Sequence, residues 1–268
     1  MQTPNDVVVE SWEHFNREVF AAEPDRIGRY RSPFVFRGMP NSAYDLKTSL
    51  MRLGHTDELT RTLEPVILRA YQKYAARDAS PGDSIWNWLA LAQHHELPTR
   101  LLDWSASPYA ALHFATEDLN KYHLDGVIWL IDVAAIRNHY LPPRLTELLQ
   151  QEYAALFSVA MLERVARTLP EFDMFSTEPF VVILEPPSLD ERIVNQFALF
   201  SVMSSPTIAL DTWLLTRPDT YRRLIIPAGL KWEFRDKLDQ INITERVIYP
   251  GLDGLSRWLK RYYSPKAP

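Results

Sequence analysis

Apolar residues recur at helical spacing from the start of the chain. Trp12, Phe15, Val19 and Phe20 share one face and predict an amphipathic helix that Pro24 ends. Phe34 to Gly38 reads as a short apolar strand with an arginine near its end, and Met39-Pro40-Asn41-Ser42 as a turn. Leu59, Leu63, Val66, Ala70 and Tyr74 predict a long helix that Pro65 kinks or divides. Pro81-Gly82-Asp83-Ser84 breaks the pattern, with Ser84 placed as a cap, and Ile85, Trp88, Leu89 and Ala92 predict the next helix. Thr99 to Trp104 then reads as a strand. Ser105 or Ser107 is placed to cap a helix through Tyr109, Ala110, Leu112, Phe114 and Ala115. The near-continuous apolar run Val127 to Ile131 predicts a strand buried on both faces.

In the second half, Arg144 to Thr168 is mostly helical in pattern. Phe180 to Leu184 is a strand stopped by Pro186-Pro187, and Asp190 to Asn195 is a short polar segment. Phe197 to Met203 and Leu224 to Ile226 read as strands, Trp232 to Leu238 as helix, Arg246 to Tyr249 as strand or extended, and Leu252 to Tyr262 as a closing helix. Strands and helices alternate without a repeat or a linker. This predicts an α+β fold: one domain over residues 1–268, with its core at about 12–259 and a mixed or antiparallel sheet flanked by helices. The first helices are candidates for a small lobe.

Composition narrows the picture. The 268 residues are 46% hydrophobic and 24% charged, enough for one large core. A net charge of -5 argues against a general nucleic-acid coat. The absence of cysteine excludes disulfides and thiolate metal sites. Met1 to Glu10 lacks the basic-then-apolar pattern of a signal peptide, and no apolar run is long enough to span a bilayer. The expected setting is cytoplasmic, without membrane contact.

The densest chemistry lies in Gln93-His94-His95-Glu96-Leu97-Pro98-Thr99-Arg100-Leu101-Leu102-Asp103-Trp104-Ser105-Ala106-Ser107-Pro108. Here polar groups gather where a strand ends and a helix begins, as binding groups often do. His94 and His95 suit a general base, a pocket wall or a satisfied helix end; adjacent histidines point apart, so no metal is expected. Arg100 and Asp103 pair with each other or across the fold, with Arg100 the better brace and Asp103 the better ligand contact. Trp104 either stacks on a planar ring or fills the core. Ser105 and Ser107 either contact a ligand or cap a helix. Arg37 can hold a pyrophosphate bidentately or form a structural ion pair, and Gly38 beside it lets a ligand approach the backbone. No Gly-x-Ser-x-Gly, dinucleotide fingerprint or Walker motif is present.

Phe36-Arg37-Gly38, together with Gln93-His94-His95-x-Leu97-Pro98-Thr99-Arg100-Leu101-Leu102-Asp103-Trp104, resembles the FRG domain, named for its Phe/Tyr-Arg-Gly motif. Ser107-Pro108 with Ala111 and Phe114, Asp125-Gly126-Val127, Arg192-Ile193 with Gln196, and Tyr249-Pro250 with Leu252 and Gly254 resemble its later segments. Glu96 and Ala198 stand where that family usually has glycine.

The order of these motifs is also similar to that of ADP-ribosyltransferases. That resemblance implies an NAD-consuming enzyme, with NAD as substrate and a protein, nucleic acid or water as acceptor. Arg37 would grip phosphate, Thr99, Ser105 or Ser107 the ribose, and Phe36, Gly38, His94, Arg100 and Trp104 would complete the NAD site. His95, Asp103 and Gln196 would serve the reaction, with Glu185 or Glu191 as candidate carboxylates. A toxin or phage-defence role would suit such an activity. The alternative is a non-catalytic module that binds a nucleotide or a partner protein. A metal-dependent hydrolase on His94 and His95 is a third reading.

Overall fold

Side-chain caps set the starts of the helices that frame the centre of the fold. The computed structural model describes residues 3–21, 24, 27–188 and 190–266. A strand β1 (Asp6–Val8) precedes α1 (Trp12–Phe20), whose cap is Ser11 accepting from the His14 amide. Then come β2 (Phe34–Met39), α2 (Asp57–Ala75), α3 (Ile85–His94), β3 (Leu101–Ser105) and α4 (Pro108–Thr116). Thr56 caps α2, which runs through Pro65 as one element. Ser107 caps α4, with Pro108 in the first turn, where its missing amide costs nothing. Ser84 stands at the start of α3, but its hydroxyl bonds Glu163 instead of capping.

β4 (Gly126–Asp132), α5 (Val133–His139), α6 (Pro143–Gln151), β5 (Phe157–Ser158), α7 (Val159–Val165) and α8 (Leu169–Asp173) follow. The expected helical stretch from Arg144 is therefore interrupted. Phe157 is buried and pairs in parallel with Leu184, while Ser158 caps α7, so two residues of strand replace a helical turn.

The remainder is β6 (Val181–Glu185), α9 (Glu191–Asn195), β7 (Ala198–Met203), α10 (Leu210–Leu215), β8 (Tyr221–Ile226), α11 (Lys231–Gln240), α12 (Glu245–Ile248) and α13 (Leu252–Tyr262). The polar segment after Pro187 is the helix α9, capped by Asp190. Arg246 to Tyr249, expected to be extended, lies mostly in the helix α12. A helical turn sends Glu245 to Arg261 and Ile248 into the core, and that requirement overrides the β-branched pattern.

The described strands form one mixed sheet in the order β1-β8-β4-β2-β3-β7-β6-β5. β1 pairs with β8 and β5 with β6 in parallel; the other neighbours are antiparallel. β4 is buried on both faces: Val127, Trp129 and Ile131 join one cluster, Ile128 and Leu130 another. The first cluster continues across the sheet through Leu102, Trp104, Val181 and Leu199. The remaining core divides in two. One part packs α1, α4 and α11 on β2, β4 and β8; the other packs α3, α6, α7 and α8 on β3, β6 and β7. The division follows a seam in the sheet. β2 shares six register pairs with β4 and β3 five with β7, but β2 and β3 share only Phe36↔Ser105.

Candidate functional site

A cavity of about 440 Å³ opens at this seam, within the range usual for small-molecule sites. β2 contributes Arg37, β3 contributes Asp103, the end of α4 contributes Phe114 and Glu117, and α9 contributes Arg192. Gln196, Tyr249, Tyr44 and Arg52 complete it. A second cavity of about 280 Å³ shares Asp103, Arg192 and Gln196 with it. A third, of about 610 Å³, shares Arg192 and Tyr249 and holds His94, His95 and Arg257. Shared walls make the three one groove.

Arg37 spans the seam. Its Nη1 donates to the Asp103 backbone carbonyl at 2.5 Å, while the Asp103 carboxylate lies 3.9 Å away. Its Nε is buried and has no hydrogen-bond partner among the described residues. Burial lowers the Arg37 guanidinium from its ordinary value; Asp103 opposes that and Arg52 adds to it. The Arg37 side chain is only about a quarter exposed and its Nε lacks a partner among the described residues, a costly state that an anion would relieve. Arg52 is held by Asp45 at 2.5 Å, and Arg192 lies 5.4 Å over the Tyr249 ring.

Two carboxylates line the same cavity. Asp103 is aimed from behind: the Thr99 hydroxyl donates to Gln93 Oε1 at 2.5 Å, which turns Gln93 Nε2 to Asp103 Oδ2 at 2.9 Å. Glu117 accepts from the Tyr249 hydroxyl at 2.9 Å. Burial, with Glu117 adding, pushes the Tyr249 phenol well above its ordinary value, so it remains a donor at neutral pH.

The residues expected from the sequence divide into several groups. Arg37, Asp103 and Gln196 line the seam cavity, as do Phe36, Gly38, Trp104 and Ser105, and the Gln196 amide donates to the Ile248 carbonyl at 3.1 Å. His94 and His95 lie in the adjoining cavities, with His94 Nε2 2.6 Å from Asp190. Among the described residues, no group of three or more His, Cys, Asp or Glu is placed to hold a metal ion.

Arg100 does not reach the groove. It is 3% exposed and bonds Glu64 and Asp173. Thr99 is also buried, and its hydroxyl serves Gln93. Trp104 is a core side chain whose indole N–H goes to Ser201 Oγ at 2.9 Å. Phe36 packs with Ala111 and Leu112 in the core beneath the cavity. The Ser105 hydroxyl gives its one proton to the Gln196 carbonyl at 2.7 Å, and the Ser107 hydroxyl caps α4. Gly38 makes room for α4, since a Cβ there would sit 1.7 Å from the Ala111 carbonyl oxygen, and it also lines the seam cavity. Glu191 lines only the third cavity, and Glu185 lines none of the three. Glu96 adopts φ +62°, a left-handed conformation that glycine takes without strain.

Sequence reasoning missed Glu117, Tyr249, Arg52 and Gln93 as site residues. One signal for Glu117 was present. His113 and Glu117 stand four apart on a helix whose neighbouring positions are almost all apolar.

Tyr249 is held in place by a brace behind it. Arg261 bonds Glu245 at 2.5 and 2.8 Å and Asp239 at 2.6 and 2.9 Å. Gly254 lets α13 approach the Tyr249 carbonyl, which a Cβ would meet at 1.8 Å. Burial works to raise the Glu245 carboxyl, but Arg261 and Arg235 outweigh it and hold it at about 2. A carboxyl lowered by folding stabilises the protein above its unfolded value near 4.5 and loses that contribution as pH falls towards 2. Urea unfolding between pH 5 and 2.5 is expected to show a loss of roughly 2 kcal/mol from this group, and a flatter acid limb in Arg261→Met.

The fold and site define a mixed α/β protein with a guanidinium-lined groove at a seam in its sheet. Residues 32–123, across β2, α2, α3, β3 and α4, match the family model of the FRG domain. No curated protein and no solved structure matches the chain. No helix among the described residues is long and apolar enough to cross a membrane.

Proposed function

We propose that the groove binds NAD as a substrate and cleaves its nicotinamide–ribose bond, as an ADP-ribosyltransferase or NAD glycohydrolase does. The observation that carries this reading is Arg37: a half-buried guanidinium whose Nε has no partner among the described residues, facing a cavity that also holds Arg52 and Arg192. A pyrophosphate is the ligand chemistry that such a set recognises. Phe114, Tyr44 and Tyr249 supply aromatic walls for planar rings, and Asp103 can accept from ribose hydroxyls.

In the reaction, the bond between ribose C1′ and the nicotinamide nitrogen breaks and its electron pair stays on that nitrogen, releasing neutral nicotinamide. The oxocarbenium-like C1′ then bonds an acceptor oxygen, from water or another nucleophile, whose proton passes to a base. Asp103 and Glu117 line the cavity as negative charges able to stabilise that cation, and Glu117 can take the proton. Consumption of NAD would suit a toxin or a phage-defence effector. A second reading, a nucleotide-binding module without turnover, draws support from Gln196, whose amide is engaged with the Ile248 backbone carbonyl.

The test is chromatography of nicotinamide released from NAD by the purified protein, with calorimetry of NAD binding. Arg37→Ala is expected to weaken NAD binding by about 10- to 100-fold, and Arg37→Lys to restore little of it. Release by the wild type supports the enzyme; binding without release favours the module; neither binding nor release overturns both nucleotide readings.

A further inference from the structure

His113 lies within α4 and is fully buried. Its Nδ1 is 2.9 Å from Arg235 Nη1. A guanidinium only donates, so Nδ1 accepts and a neutral ring carries its proton on Nε2. Nε2 is buried without a hydrogen-bond partner among the described residues, and it faces Glu117 Oε2 at 3.4 Å. The same oxygen accepts from Tyr249. Arg235 is itself fully buried, and its Nη2 donates to the Ile243 carbonyl at 2.7 Å. Burial lowers both His113 and Arg235 from their ordinary values, in keeping with a neutral imidazole. Three polar groups in line, ending on a cavity carboxylate, are a poor choice for packing alone, because each must be desolvated.

We infer that His113, fixed by Arg235, is a positioning residue that aims the Glu117 carboxylate into the seam cavity through its Nε2–H. The inference rests on the NAD reading of that cavity. Glu117 divides one oxygen between Tyr249 and His113, and a small shift towards His113 completes the second hydrogen bond. Catalytic hydrogen bonds often tighten in this way when substrate binds.

The test compares His113→Leu and His113→Gln in the full chain. Glutamine offers Oε1 to Arg235 and an Nε2–H to Glu117, whereas leucine offers neither. His113→Leu is expected to lower kcat for nicotinamide release by about 10- to 100-fold with KM within about twofold, and His113→Gln to recover most of it. An unchanged kcat in His113→Leu, or no recovery in His113→Gln, overturns the inference. A second readout does not need turnover. In ¹⁵N spectra the wild-type His113 is expected to be the neutral Nε2–H form, with an Nε2 proton resonance that moves in Glu117→Gln. A charged ring, an Nδ1–H form or an unmoved resonance overturns the positioning role. A wild type that leaves NAD intact while showing the expected resonances overturns the NAD-cleavage reading and retains the Glu117 contact.

Discussion

Gly38→Ala is expected to destabilise the protein by about 4 kcal/mol or more, or to prevent folding, although it adds one methyl group. The new Cβ would lie 1.7 Å from the Ala111 oxygen, 2.6 Å from its carbon and 2.9 Å from the Ala115 amide nitrogen. All three are helix backbone, so no rotamer change relieves the clash. α4 must lift from β2, which opens the cluster of Phe36, Ala111, Leu112, Ala115 and Ile128. Glu117 and Phe114 move with the helix. Thermal melting and soluble yield measure the effect, with Gly229→Ala, which meets nothing within 4 Å, as the control. A Gly38→Ala protein that melts with the wild type would show that β2 and α4 are packed less closely than described.

Arg100→Ala is the second large effect, at about 3–5 kcal/mol, read as a lower urea midpoint with an unchanged slope. Arg100 bonds Glu64 through Nε and Nη2 and Asp173 at 2.5 Å, and its Nη1 reaches the Met203 carbonyl at 3.4 Å. Glu64 is 4% exposed, so removing the arginine strands a carboxylate away from water. The cost belongs to the broken network more than to a net gain from charge pairing. Arg100→Met combined with Glu64→Leu and Asp173→Leu is therefore expected to recover much of the loss. A single alanine variant costing under about 1 kcal/mol would mean that water reaches the triad.

The architecture was most legible where a single segment carries its own signal. Val127 to Ile131 is apolar at every position because both faces of β4 are covered, and Trp12, Phe15 and Val19 repeat at the helical period because α1 buries one face. β1 and β5 are three and two residues long, too short for any period, and pairing with β8 and β6 alone defines them. α12 was misread because Val247, Ile248 and Tyr249 favour strand locally while Arg261 draws Glu245 into a helical turn. At the site, Arg37 and Asp103 were legible as strand-end polar groups. The employment of Ser105 and Arg100 was not, because their partners lie 91, 36 and 73 residues away along the chain. The role of Glu117 was not legible, because its contact with Tyr249 spans 132 residues.

The single register pair between β2 and β3 also bears on where a fragment of this protein can be cut. The span that matches the FRG domain ends at residue 123, before β4 and β7, the strands that hold β2 and β3 along their lengths. An isolated 32–123 peptide would carry two strands joined by Phe36↔Ser105, each with its principal partner edge bare. Arg192, Gln196 and Tyr249 would be missing from its groove. The boundary recognised from sequence thus encloses the two lips of the opening, while the halves of the sheet that keep them apart are supplied from outside it.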